Sequence, residues 1–290
     1  MTRRIPVAAF YLLCASLLIA CGDGSTLGDA ACAGKSRATG VREVVLESGG
    51  RERRFVLVVP GSAVDGEPAP LVLGYHGVGS TPEAFLAVTR FADKAEEEGF
   101  VLAAGYGFER SWNAGVCCDP AAALDVDDVA FSRDMVAAIS EQLCIDPDRV
   151  FVTGFSNGGA MTFRLACQAD DLFAATAPVA AGVASSCQPE QPRSVLILQN
   201  VDDPVVPFVL GEVAFGQLAA ANSCEGDRTT TEPASNTACE IAPTCGDGTT
   251  TQLCAVSGIS HVWPGGATDP SGPYRATDRI WDFFSTEVPG

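Results

Sequence analysis

The feature that most restricts the fold is a repeated alternation of short apolar runs with amphipathic helical segments. Strands joined through helices form crossover connections, which place the strands parallel in one sheet with helices on both faces. The sequence therefore predicts the α/β class with a mostly parallel central sheet. The apolar runs are residues 71–75, 100–104, 150–153, 174–179 and 195–199. The helical segments are residues 82–98, 127–143, 157–167 and 213–221, with a terminal helix that includes 280–284.

Two further segments should border this sheet. Residues 41–47 and 54–60 are rich in β-formers and are joined through the turn signal Ser48–Gly50, which predicts an antiparallel hairpin near the amino terminus. Residues 223–254 are rich in Thr and Cys and show little hydrophobic periodicity. We interpret them as an insertion or a disulfide-braced hairpin near the end of the sheet, and not as a separate domain.

The amino terminus has the pattern of a signal peptide. Arg3 and Arg4 precede an apolar run over residues 5–20, which is short for a membrane span and ends at Cys21 before polar residues. This resembles the bacterial lipobox and predicts a signal peptide over 1–20, a lipidated Cys21, a tether over 21–39 and a domain over 40–290. An ordinary secretory signal, with Cys21 incidental, is the alternative. Both interpretations predict an extracytoplasmic protein. Under the lipobox interpretation, the protein is bound to a membrane only through the lipid on Cys21.

Charge and cysteine usage narrow the class of partner. The chain has 18 Lys and Arg against 36 Asp and Glu, which disfavours nucleic-acid binding. Its 12 cysteines indicate an oxidising compartment, and no C-x-x-C pair or neighbouring histidine supplies a zinc site, so no metal or cofactor is expected. Cys14 lies in the signal segment and Cys21 would carry lipid. Ten cysteines then remain, an even number.

Cysteine positions predict three disulfides. Cys239 and Cys254 are placed symmetrically about the turn at 245–248, as a cross-strand bridge would be. Two further pairings follow as hypotheses, Cys224–Cys245 and Cys167–Cys187. The sequence does not assign partners to Cys32, Cys117, Cys118 and Cys144.

The strongest chemical signal is the segment Gly154–Gly158, which reads Gly-Phe-Ser-Asn-Gly and matches G-x-S-x-G. It follows a predicted strand and precedes a predicted helix, and this is the context in which a sharp turn exposes a serine above the strand ends. The alternative is an accidental glycine-rich turn. The context favours Ser156 as a nucleophile, with the helix start behind it favouring developing negative charge.

A serine nucleophile needs a histidine base, and the chain has only His76 and His261. In α/β-hydrolases the order along the chain is nucleophile, acid, histidine, so only His261 can serve. It lies in a Gly- and Pro-rich segment, residues 258–266, which we name the histidine loop. His76 precedes the serine, and we expect it to shape its own loop.

The acid should follow a strand between the serine and the histidine. The strand at 194–200 leads into residues 201–207, here named the acid loop, which contains Asp202, Asp203 and Pro204. We predict Asp203 as the acid that orients and stabilises the imidazole, with Asp202 as the reserve. A surface turn with two solvated carboxylates is the alternative.

The oxyanion hole should combine two backbone N–H groups. The first is that of Asn157, directly after the serine. The second comes from the loop at 75–79, where Gly77 allows close approach of the backbone and Val78 supplies the N–H.

Together these segments resemble the polyhydroxybutyrate depolymerase and feruloyl or acetylxylan esterase group of secreted α/β-hydrolases, over roughly residues 41–285. The Ser-Asn-Gly-Gly elbow and the His-x-Trp-Pro-Gly loop are the most specific parts. The resemblance implies a triad of Ser156, Asp203 and His261 that acts on carboxylic esters without a cofactor. The implied substrates are feruloyl or acetyl esters of polysaccharides, or short hydroxyalkanoate esters. The segments that carry the resemblance are Leu73–Gly79, Ser111–Cys118, Val126–Phe131, Ile145–Arg164, Asp203–Pro207 and His261–Gly265.

The resemblance also implies substrate contacts. It suggests that Trp112, Asn113 and Trp263 line the cleft, where an aromatic ring could stack on a sugar or phenol; a core role for Trp112 is the alternative. The chain departs from the group in one place, because residues 199–200 read Gln-Asn where relatives typically read His-Gly before the acid loop.

Two other functions remain open. One is a peptidase of related fold. The other is a non-catalytic surface lipoprotein that binds glycans or a partner, although the presence of all three triad residue types disfavours it.

Overall fold

The computed structural model describes residues 32–36, 38–64, 67–115, 117–183, 187–242, 244–270 and 272–287. The predicted signal segment and the lipidation site Cys21 lie outside these residues. Within these ranges, no helix combines the length and the apolar character that crossing a bilayer requires.

The described residues form one mixed sheet with the strand order β1-β2-β4-β3-β5-β6-β7-β10-β9-β8. The strands are β1 (Gly40–Ser48), β2 (Arg51–Val59), β3 (Ala69–Tyr75), β4 (Val101–Gly105), β5 (Ile145–Phe155), β6 (Ala175–Val179), β7 (Ser194–Asn200), β8 (Thr229–Ala234), β9 (Thr237–Ala242) and β10 (Thr251–Val256). The α-helices are α1 (Pro82–Thr89), α2 (Phe91–Glu98), α3 (Asp128–Gln142), α4 (Asn157–Gln168), α5 (Val209–Ala221) and α6 (Ala276–Glu287).

The sheet is parallel in its centre and antiparallel at both edges. Strands β4, β3, β5, β6, β7 and β10 pair in parallel, while the β1–β2 hairpin and the β8–β9 hairpin extend the sheet antiparallel on either side. The mostly parallel sheet and the hairpin at 41–60 are therefore confirmed. The Cys-rich segment 223–254 does form a hairpin at the sheet edge, but it also includes most of β10, which pairs with β7.

Alternating side chains of the central strand enter two separate apolar layers. Phe151 points into a layer with Phe91 and Phe284, on the face of the sheet against which α1, α2 and α6 pack. Its neighbours Val150 and Val152 point into the opposite layer, with residues of α3 and α4. Burial on both faces explains why these strands read as continuous apolar runs.

The predicted single helix over 82–98 is wrong in one respect, because it breaks at Arg90. This residue has left-handed dihedrals (φ 60°, ψ 24°) and ends α1, and α2 begins at the next residue. The break directs Phe91 completely into the core, and the Thr89 hydroxyl accepts a hydrogen bond from its N–H at 3.4 Å. Tertiary burial of one aromatic ring outweighs the cost of a non-glycine residue with positive φ.

Five disulfides join the ten cysteines of the described residues. The predicted pairs Cys239–Cys254, Cys224–Cys245 and Cys167–Cys187 are confirmed. Cys239 and Cys254 are direct register partners on β9 and β10. The unassigned cysteines pair as Cys32–Cys144, which closes a separation of 112 residues, and as the adjacent pair Cys117–Cys118.

Candidate active site

Ser156 lies on a sharp turn between β5 and α4. Its dihedrals (φ 56°, ψ −118°) are unusual for a residue with a side chain and cost on the order of 1–3 kcal/mol. The flanking glycines make the turn possible. A Cβ atom at Gly154 would overlap the carbonyl of Gly158, and one at Gly158 would overlap the carbonyl oxygen of Tyr75. The turn therefore needs the two glycines of the motif and lifts the serine hydroxyl above the strand ends.

The fold brings the three predicted triad residues into one hydrogen-bonded row. The Nε2 atom of His261 lies 2.9 Å from the hydroxyl oxygen of Ser156, and Nδ1 lies 2.6 Å from Oδ2 of Asp203. The Asp203 side chain is completely buried, while 18% of the His261 side chain is exposed. A carboxylate against Nδ1 keeps the proton there, which leaves Nε2 free to accept the serine proton.

The two aspartates of the acid loop have different hydrogen-bond partners in the structure. The second oxygen of the Asp203 carboxylate, Oδ1, accepts the N–H groups of Val205 (2.8 Å) and Val206 (2.9 Å). Asp202 instead accepts the N–H of Gly258 at 2.7 Å, at the start of the histidine loop. Asp203 therefore contacts the imidazole, and Asp202 joins the two loops from outside.

The loop after β3 lies beside the serine, as the oxyanion-hole prediction requires. A Cβ atom on Gly77 would be 3.4 Å from Cβ of Ser156. The Gly77 carbonyl accepts the N–H of Ser80 at 3.0 Å, so the N–H of Val78, across the same peptide plane, points the opposite way. Within the described residues, neither the N–H of Val78 nor that of Asn157 donates to another protein group. Both are free to bind an oxyanion.

His76 supports this loop from the buried side. Its Nε2 accepts the N–H of Gly107 at 3.1 Å, so its protonated Nδ1 donates to the Gly77 carbonyl at 2.8 Å. Burial lowers the pKa of His76 below the ordinary value of 6.5, which keeps the ring neutral. These contacts agree with the loop-shaping role expected for His76.

The prediction that Trp112 and Asn113 line the substrate cleft is wrong, because both are buried beneath the serine turn. The indole N–H of Trp112 donates to the His76 carbonyl at 2.9 Å. The side chain of Asn157 binds the Trp112 backbone through both its oxygen (2.8 Å) and its nitrogen (3.0 Å). The Asn113 backbone N–H donates to Asp128 at 2.8 Å. These residues brace the turn and have no surface left for substrate.

A cleft of about 370 Å³ opens beside Ser156 and His261. Its lining includes Ser80, Thr89 and Thr268 and contains no Asp, Glu, Lys or Arg. Trp263 forms part of the wall. Its indole N–H donates to the Thr277 hydroxyl at 3.0 Å. The apolar part of the wall is formed by Val78, Ala84, Phe85, Val88, Phe155, Val205, Val262 and Trp263.

Two parts of the site escaped prediction from the sequence. The wall residues Phe85 and Val88 lie on α1, and their helical spacing indicates only that they face inward. Beneath the turn, Arg53 pairs with Asp128 at 2.7 Å, and both side chains are buried. Nothing in the local sequence signals that pair. Among the described residues, no group of three or more His, Cys, Asp or Glu side chains is arranged to hold a metal ion.

Comparison with known proteins shows to which family the chain belongs. The chain is 30% identical over 291 residues to "Putative esterase NocK" of Nocardia uniformis subsp. tsuyamanensis, a match that covers 86% of this chain and 81% of that one. The chain belongs to the feruloyl esterase-like family of α/β-hydrolases. It is also 27% identical to feruloyl esterase D of Neurospora crassa, over 91% of this chain and 89% of that enzyme.

Other matches are narrower. Feruloyl esterase B of Piromyces equi is 28% identical over 235 residues, and the match spans 72% of this chain but only 42% of the length of that relative. The family model for prolyl oligopeptidases (Peptidase_S9) matches residues 123–188. The solved acetyl xylan esterase from Aspergillus awamori superposes with a TM-score of 0.63 at 16% identity, over 84% of this chain and 99% of that one. This likeness confirms the α/β-hydrolase fold.

Proposed function

We propose that this family member is a serine carboxylesterase. The observation that carries the proposal is the hydrogen-bonded row from the Ser156 hydroxyl through His261 to the buried Asp203 carboxylate, at the mouth of an apolar cleft. Membership of a family whose relatives are named esterases supports it. A metal is not needed for this chemistry, because the serine, the imidazole and two backbone N–H groups supply every role.

In the proposed reaction, Ser156 attacks the ester carbonyl while Nε2 of His261 takes its proton. The N–H groups of Val78 and Asn157 bind the oxygen that becomes negatively charged, and Asp203 stabilises the imidazolium. The imidazolium then gives its proton to the departing alcohol, which leaves an acyl-serine. Water attacks this ester with His261 as the base, and the acid leaves as the serine regains its proton.

The cleft favours an acyl group that is neutral and apolar. Its walls are largely aromatic and aliphatic, and a volume of about 370 Å³ exceeds what an acetyl group would fill. A hydroxycinnamoyl ring would contact these walls, and Ser80 and Thr268 are polar residues of the lining at which its polar substituents would bind. We therefore place feruloyl esters first, ahead of acetyl esters of polysaccharides and short hydroxyalkanoate esters.

The proposal includes the place of the protein. Five disulfides require an oxidising compartment, so the domain over 40–290 acts outside the cytoplasm. In the proposed arrangement, the signal peptide over 1–20 is removed, Cys21 carries a lipid, and the tether over 21–39 connects this anchor to the domain. The Cys32–Cys144 disulfide fastens the later part of the tether to the domain. The polymer to which the ester belongs would be the only macromolecular partner, with no role for nucleic acid.

The decisive experiment compares wild type with Ser156→Ala on p-nitrophenyl acetate, methyl ferulate, acetylated xylan and hydroxybutyrate oligomers. Loss of the nucleophile should lower kcat by about 10⁴-fold or more. Ser285→Ala makes the same chemical change at an exposed position of α6 and should leave the rates unchanged. Equal rates for wild type and Ser156→Ala would refute the proposed esterase activity. A preference for acetylated xylan or for the hydroxybutyrate oligomers would replace feruloyl esters as the proposed substrate class.

A peptidase is the second candidate, because the prolyl oligopeptidase family model matches residues 123–188. The same triad can attack amides, so the test is a set of p-nitroanilide peptides measured beside the esters. We expect Ser156-dependent hydrolysis of the esters only. Faster hydrolysis of the anilides would favour the peptidase.

A further inference from the structure

Strand β7 ends in two amide side chains, Gln199 and Asn200, and both are completely buried. They occupy the position at which the sequence departs from the group that it resembles. Neither has a place in the proposed reaction steps. A buried amide is costly unless its polar atoms are paired, so the contacts of these two residues should reveal what they do.

Asn200 holds the histidine loop. Its Nδ2 donates to the carbonyl of Ser260 at 2.7 Å and to that of Val262 at 2.8 Å. These are the carbonyls on either side of His261, and the two bonds use both hydrogens of the amide. The backbone around the imidazole is therefore attached to the end of β7 from both sides.

Gln199 holds the acid loop in the same way. Its Nε2 donates to the carbonyl of Val206 at 3.1 Å, while its Oε1 accepts the N–H of Ala181 at 3.1 Å. The N–H of Val206 in turn donates to Oδ1 of Asp203. One side chain thus connects the central sheet to the turn that holds the carboxylate.

Asn200 carries a cost that a purely stabilising residue would not. Its Oδ1 is buried and has no hydrogen-bond partner within the described residues. Asn222, at the opposite end of the β7–β10 pair, is equally buried and has all its polar side-chain atoms paired with Arg193 and Thr251. A buried acceptor without a partner lowers stability, so the benefit of Asn200 must come from its two donors.

We propose that Gln199 and Asn200 are positioning residues that hold the acid and the base of the triad in register from a single strand end. This inference rests on the proposed function and adds to it. The triad residues come from separate loops, and a misplacement of about 1 Å would slow proton transfer by about 100-fold. Two amides on adjacent residues remove that freedom, and amides do not ionise, so the attachment is the same at every pH.

A substitution in helix α5 can displace the Gln199 side chain without changing Gln199 itself. A Cβ atom on Gly211 would lie 2.9 Å from Cγ of Gln199, so Gly211→Ala should displace the amide without altering any triad residue. Gly216 lies in the same helix and has nothing within 4 Å of the corresponding position. Gly216→Ala is therefore a matched control.

The experiment measures kcat, KM and the denaturation midpoint of wild type and four variants on p-nitrophenyl acetate. Asn200→Ala should lower kcat by about 10- to 100-fold with little change in KM. Asn222→Ala removes an equally buried amide with more hydrogen bonds, so it should lower the denaturation midpoint and leave kcat unchanged. Gly211→Ala should lower kcat, and Gly216→Ala should not.

The proposal is overturned if Asn200→Ala folds and its kcat is equal to that of Asn222→Ala. If Asn200→Ala does not fold, the glycine pair decides, and equal kcat values for Gly211→Ala and Gly216→Ala overturn it. The downfield proton signal of His261 Nδ1–H reports the geometry separately. If the wild type has no esterase activity, the proposed function is refuted. Even then, the positioning role is supported if this signal is lost in Asn200→Ala and retained in Asn222→Ala.

Discussion

Beneath Ser156, the segment 111–113 and Asn157 form a buried network in which polar groups pair with one another, whereas the cleft beside the serine is apolar and open. We name these regions the floor and the cleft. The floor ends in the buried pair of Arg53 and Asp128, and its side chains are buried away from the cleft. The cleft has few polar groups and none of the strongly charged ones. The floor on one side of Ser156 thus holds the serine turn rigid, and the cleft on the other side selects the substrate.

Arg53→Met should have the largest effect, because it leaves Asp128 as an uncompensated charge in the floor. We expect the free energy of unfolding to fall by about 3 to 5 kcal/mol, measured by chemical denaturation at neutral pH. Arg54→Met is the matched control, since Arg54 pairs with Glu43 at the surface and should contribute less than about 1 kcal/mol.

The pH dependence sharpens this prediction. Burial raises the pKa of Asp128 above the ordinary value of 3.8. A carboxyl whose pKa is raised by folding destabilises the protein when it is charged, and this cost disappears as the pH falls through the raised pKa. The deficit of Arg53→Met should therefore shrink in acid. A deficit that is independent of pH would show that Asp128 does not carry the cost.

Val88→Trp tests the cleft, because Val88 is part of its wall and is only partly buried. The larger ring should exclude an aromatic acyl group and lower kcat/KM for methyl ferulate by about 10- to 200-fold. Hydrolysis of p-nitrophenyl acetate should change far less. Ala87→Trp places the same ring on the exposed side of α1 and should change neither substrate. Equal losses for both esters would mean that the acyl group does not bind in this cleft.

His76→Gln should have the smallest pH-dependent effect, and this effect should appear only on the acid side. Burial lowers the pKa of His76 in the folded protein, so the unfolded chain binds more protons between that pKa and 6.5. Stability supplied by neutral His76 is complete above pH 6.5 and is lost as the pH falls below it. Glutamine should remove this component from the pH dependence of the unfolding free energy. Superimposable curves for variant and wild type would contradict it.

Local patterns predicted the parts of the site that depend on neighbouring residues along the chain. Gly154–Gly158 identified the serine turn, since a sharp strand-to-helix turn has the same steric requirements wherever it occurs. Chain order selected His261 over His76 because the fold class was already predicted. Cys239 and Cys254 paired as expected because their symmetric spacing about a turn already implied a cross-strand position.

Predictions that depended on burial were less successful. Trp112 and Asn113 follow the family pattern, but only the packed structure shows that they lie under the serine turn, where Asn157 holds the Trp112 backbone and Asp128 accepts the Asn113 N–H. The break at Arg90 has no glycine or proline signal, since it follows from the burial of Phe91. Gln199 and Asn200 were visible as a departure, yet their meaning depended on which carbonyls lie opposite them.

By itself, the sequence determined the fold class, the serine turn, the choice of His261 over His76 and the strand that precedes the acid loop, because hydrophobic periodicity, glycine sterics and chain order are local or ordinal properties. Only the tertiary structure decided that Asp203 and not Asp202 contacts the imidazole, that the side chains of the floor are buried away from the cleft, and that two amides attach the loops. Those outcomes depend on distances between residues far apart in the chain, which are set by packing.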